Sequence, residues 1–73
     1  MSDELKDFER HWLLVKIGRA FAEMDEASAR GDFETAHHMC KVAGDLLREA
    51  SALTRENLSD LERASIDEYS KSA

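Results

Sequence analysis

Proline is absent from this chain of 73 residues, so no position forces a helix to kink or stop. Cysteine occurs once, as Cys40, which excludes a disulfide within the chain. A domain this short buries only about 60% of the surface its unfolded chain exposes. Lacking that staple, it has to draw stability from close helix packing, a metal or association. Long hydrophobic runs are also missing. The longest, Trp12 to Val15, falls far short of the roughly 20 apolar residues that cross a bilayer. Met1-Ser2-Asp3-Glu4 is acidic where a secretory signal would be basic. With the lone thiol, this leads us to expect a reducing, cytoplasmic setting and no membrane partner.

A basic patch is lacking too. Sixteen acids against ten bases leave a net charge of −6, spread evenly from end to end. No duplex-DNA footprint is therefore expected. There is no glycine-rich phosphate loop and no nucleophile elbow, so neither catalytic residues nor a cofactor are assigned. With 42% hydrophobic residues the chain is expected to fold rather than remain disordered.

What is present is helical periodicity with one clear break, at Arg30-Gly31-Asp32. Gly31 suits the left-handed residue that ends a helix, and Asp32 suits the cap that starts the next. The first helix is expected over about 3–30, capped by Ser2, and the second over about 33–56. Ser59-Asp60-Leu61-Glu62 fits a capping box and predicts a short third helix over about 60–69. The expected fold is all-α: one domain, an antiparallel hairpin of two long helices with a short third, assembled into a helical-bundle oligomer, and a frayed tail over 70–73.

The second helix carries one apolar stripe: Ala36, Met39, Cys40, Ala43, Leu46, Leu47, Ala50 and Leu53. The first carries two. Leu14, Ile17, Phe21 and Met24 line one face; Leu5, Phe8, Trp12 and Val15 line nearly the opposite one. One partner helix covers one of these faces. The other needs the third helix or a second copy of the chain, and the small-domain argument favours a homodimeric four-helix bundle. Gly18 and Gly44 lie equally far from the turn and are expected to face each other and let the two long helices approach closely.

Glu34, His37 and Cys40 are the only cluster with metal-ligand spacing. Glu34 points away from the apolar stripe, and two remaining ligands make a weak site, so no metal is assigned. Cys40 is expected at the edge of the core as an inert small hydrophobe. Phe8, Trp12, Val15, Phe21 and Tyr69 are the candidate partner-binding residues, since Trp and Tyr are over-represented at interface hot spots.

Gly31-Asp32-Phe33-Glu34, with Ala36 and Ala43, resembles the turn and second helix of a tetratricopeptide repeat over about thirteen residues. In size and layout the chain is also similar to two kinds of small helical hairpin. One is the acidic dimers that regulate plasmid copy number by binding paired RNA loops; the other is the small co-chaperones of bacterial type III secretion. The expected function is a non-enzymatic protein–protein interaction module of adaptor, inhibitor or co-chaperone type, acting through the apolar face of helix 1. Its partners would be a second copy and a second protein. The alternative is an acidic dimer that binds nucleic acid through Lys16, Arg19, Lys41 and Arg48, and the third reading is a metal-binding bundle.

Overall fold

The computed structural model describes residues 2–72, with side chains over 6–72. Three helices account for nearly all of it: α1 (Ser2–Ala29), α2 (Phe33–Thr54) and α3 (Leu58–Ser72). The side-chain roles expected of Ser2 and Leu5 lie outside the described residues, as does Ala73.

The hairpin turn forms as its residues predict. Gly31 takes φ of 78°. Its N–H donates to the Ser28 carbonyl at 3.0 Å, and the Asp32 N–H donates to the Ala27 carbonyl at 2.8 Å. These are the paired bonds of a Schellman end, which satisfy carbonyls that α1 would otherwise leave open. Asp32 then caps α2, its carboxylate accepting the Thr35 backbone N–H at 3.2 Å. The Asp32 carboxyl is held below its ordinary range, first by the Thr35 hydroxyl and then by that backbone N–H.

The second connection has no glycine. Arg55 occupies the left-handed region itself, at φ 60°, and its N–H donates to the Ser51 carbonyl at 2.7 Å. The Ser51 hydroxyl donates to the Glu56 carbonyl at 2.9 Å, and the Thr54 hydroxyl donates to the Ala50 carbonyl at 2.9 Å. With Glu56 tied into this turn, Asn57 is the next residue free to cap. Its side chain accepts the Asp60 N–H at 3.0 Å, and its carbonyl accepts the Leu61 N–H at 3.2 Å. Helix α3 therefore starts at Leu58, earlier than the Ser59 capping box predicts, and α2 stops at Thr54. At its far end α3 runs on through Ser70 to Ser72.

α1 is the central element. It packs extensively on both α2 and α3, which touch each other only sparingly. Leu13, Leu14 and Ile17 of α1 meet Leu47 and Ala50 of α2 and Leu61 of α3 in one core, with Phe21, Leu46, Leu53 and Ala64 packed around it. This explains the sequence pattern. α2 and α3 each bury one face and are amphipathic, whereas α1 is used on two sides and has no single apolar direction.

Gly18 sits against α3, and the expected Gly18–Gly44 contact does not form. A β-carbon built on Gly18 meets the Ser65 carbonyl oxygen and lies 2.5 Å from the Tyr69 Cβ, whereas one built on Gly44 meets nothing within 4 Å. The reason is rotational. Matched height along a hairpin does not fix direction, and Gly18 lies about 100° round α1 from Ile17. Ser65 is fully buried there, its hydroxyl donating to the Glu62 carbonyl at 2.7 Å, so a polar residue enters a close helix contact with its donor satisfied.

Candidate functional site

Two sides of α1 are covered, and a third is not. Trp12 lies about 100° round the helix from Leu13 and about 120° from Gly18, so it falls between the faces taken by α2 and α3. It remains 50% exposed, and Phe8, one turn away, 61%. Their rings meet edge to face with centroids 6.4 Å apart and planes at 74°, a favoured aromatic geometry. The third helix of the chain thus packs on α1 without covering this pair. Val15 is half-buried beside it.

From Phe8 and Trp12 a groove runs between α1 and α2. Its first part, about 440 Å³, is lined by Phe8, Glu9, Trp12, Leu13, Lys16 and Glu49. Its second part, about 350 Å³, continues from Lys16 past Arg19, Ala20 and Glu23 on α1 to Met39, Val42 and Leu46 on α2. The second part is mostly apolar, whereas the first mixes Phe8, Trp12 and Leu13 with Glu9, Lys16 and Glu49. The α2 wall consists of Met39, Val42, Leu46 and Glu49, at alternating spacings of three and four as in a helix seam. Val42 is missing from the stripe read from sequence, because that stripe was drawn for the face toward the core; the three-four spacing is the signal that finds it.

Of the other candidate partner residues, Phe21 is half-buried against the core and Tyr69 is half-buried beside Gly18. They do not join Phe8 and Trp12 in one patch. Phe33, Leu58 and Ile66 are further exposed large hydrophobics outside the set of candidate partner residues; Ile66, expected among the apolar residues by which the third helix covers α1, is exposed instead.

Two of the remaining polar contacts join α1 to the rest of the chain. Arg10 donates to both carboxylate oxygens of Glu56, Nε to Oε1 at 2.7 Å and Nη2 to Oε2 at 3.2 Å, pinning α1 to the second connection. The Arg10 hydrogen bond holds the Glu56 carboxyl below its usual range, and the same bond raises the Arg10 guanidinium further above its own. A cleft of about 690 Å³ beside this pair is lined by Lys6, Asp7, Arg10 and residues 52–56. On the α3 side, His11 Nδ1 lies 2.7 Å from the Glu68 carboxylate. Arg19–Glu23 and Arg48–Asp45 are exposed pairs within single helices.

Glu34, His37 and Cys40 are all exposed, and among the described residues no group of three or more His, Cys, Asp or Glu side chains gathers into a metal-ready cluster. Cys40 corrects the sequence reading, which placed it at the core edge. The face of α2 that is buried runs through Ala36, Ala43, Leu47 and Ala50, and Cys40 lies outside it. No described helix is long and apolar enough to cross a membrane. Comparison with protein-family models, curated proteins and solved structures finds no match.

Proposed function

We propose that the chain is a non-enzymatic interaction module of adaptor, inhibitor or co-chaperone type, whose working surface is the open side of α1. The observation that carries this reading is the Phe8–Trp12 pair, more than half exposed on average and opening on a groove between α1 and α2 whose second part is mostly apolar. An aromatic pair in this setting fits a helix-in-groove or helix-on-helix interface, with Trp12 as anchor and the charged residues as rim. In a domain with a core this small, covering that surface adds stability. Self-association into a homodimeric helical bundle is the simplest way to cover it, and a second protein is the other occupant of the same face.

Solution mass tests the reading. The wild-type chain of 8.3 kDa is expected to sediment as two copies. Trp12→Ala is expected to sediment as one copy with its helical signal intact, since Trp12 lies outside the core. A wild type that stays a single chain at every accessible concentration would remove self-association and leave the face to a different protein.

A further inference from the structure

The second connection has the features of a hinge. Arg55 holds a left-handed backbone, φ 60°, that a β-carbon disfavours, and neither glycine nor proline occurs from residue 45 to residue 73. The Arg55 N–H bonds to the Ser51 carbonyl and the Leu61 N–H to the Asn57 carbonyl, each four residues back, as in a continuous helix. Straightening the few residues between them joins α2 and α3 into one helix. The buried pattern is in phase for this. Ala50 and Leu61, on either side of the hinge, are eleven residues apart, about 20° more than three full turns. Leu47 and Ser65 extend the same face. Because α3 docks chiefly on α1, it can leave without opening the α1–α2 hairpin.

We propose that α3 exchanges between two copies of the chain. Each straightened chain lays its α3 on α1 of the other, with Ser65 against Gly18 and Leu61 in the core beside Leu14 and Ile17. The occupant and its register are set by the chain's own packing, since the α1–α3 contacts made within one chain are remade between two. Only the hinge differs. Exchange relieves Arg55 in both copies and gives up the Ser51–Glu56 and Asn57–Asp60 bonds that close each turn. The Phe8–Trp12 face takes no part, so this dimer is independent of the one proposed there.

A crosslink between α1 and α3 tells the two states apart. His11 and Glu68 face each other across this contact, Nδ1 to Oε2 at 2.7 Å. A chain carrying His11→Cys and Glu68→Cys, with the exposed Cys40→Ser, is joined by a short bismaleimide and run on a denaturing gel. A closed chain is joined within itself and runs as one copy, even if it pairs through the Trp12 face. Exchanged chains run as a covalent dimer. Refolding at about 1 mM, near the effective concentration of a helix on a short tether, is expected to yield that dimer. Arg55→Gly accepts the left-handed turn and disfavours the helix, and it acts on two hinges. It is expected to lower the ratio of covalent dimer to single chain by at least about tenfold. Asn57→Ala removes the cap that starts α3 and favours the continuous helix, and is expected to raise the ratio by at least about tenfold. Trp12→Ala should leave the ratio unchanged. Circular dichroism keeps the comparison to folded chains. Single-chain product alone after refolding at that concentration would overturn the proposal, as would a ratio indifferent to both hinge substitutions. Loss of the covalent dimer in Trp12→Ala would trace the crosslink to the Trp12 face and overturn it too.

Discussion

Alanine at Gly18 and alanine at Gly44 change the same atoms in the same kind of helix interior, yet the structure gives them opposite signs. Glycine in a helix interior is about 1 kcal/mol less favourable than alanine. At Gly44 a β-carbon finds open space within 4 Å. Gly44→Ala should therefore keep that gain, which in a domain of this size raises Tm by about 4–8 °C. At Gly18 the same carbon meets the Ser65 carbonyl oxygen and the Tyr69 Cβ at 2.5 Å. Both belong to the α3 scaffold, not to the tip of a flexible side chain, so the whole helix has to shift. Overpacking of this kind costs about 1–3 kcal/mol and offsets the propensity gain. The propensity contribution cancels between the two variants, so Gly44→Ala should exceed Gly18→Ala in stability by about 1–3 kcal/mol. Urea unfolding followed by circular dichroism measures this directly. Equal stabilisation by both substitutions would refute the account of how α3 docks.

Other perturbations probe the remaining joints. Leu61→Ala empties a fully buried site shared by all three helices and should cost about 2–5 kcal/mol in urea unfolding, whereas Ile66→Ala, at an exposed site on the same helix, should change stability by under about 0.5 kcal/mol. Arg55→Gly relieves a left-handed backbone at a non-glycine residue and should stabilise by about 0.5–1 kcal/mol, read as a raised thermal midpoint. Acid should weaken the fold with a definite sign. The folded Glu56 carboxyl sits below its ordinary 4.5, so the unfolded chain takes up that proton first; the stability this group contributes is present above 4.5 and is lost as pH falls below it toward the depressed folded value. Urea midpoints should drop over that window, and Glu56→Gln should flatten the drop. Asp32, lowered for its own reason, adds a contribution of the same sign below its ordinary 3.8.

The hairpin was legible because its signals are local. Gly31 and Asp32 carry the turn by their own backbone and side-chain chemistry, and the two long helices end within a residue or two of where the pattern puts them. The third helix was legible in existence but not in its start. Asn57 and Ser59 are both good caps, and the hydrogen bonds around Glu56 decide between them; those bonds depend on Arg55 taking a conformation that a non-glycine residue does not advertise. Gly18 was legible as a close-contact residue and illegible in its partner, because matched height along the hairpin carries no rotational information. The candidate face shows the same division. That α1 is apolar on more than one side is written in its spacing. That α3 takes the strip through Leu14 and Gly18, leaving Phe8 and Trp12 open, follows from the short second connection and from where Leu61 finds the core.

Trp12 is the only tryptophan, so its fluorescence reports on the proposed face and on nothing else. The most direct measurement is its emission maximum from about 1 μM to 1 mM, taken alongside the sedimentation mass. In dilute solution the half-exposed indole should emit at long wavelength, moving to shorter wavelength in step with the doubling of mass. Mass that doubles while the emission stays constant would put the interface elsewhere and contradict the central claim.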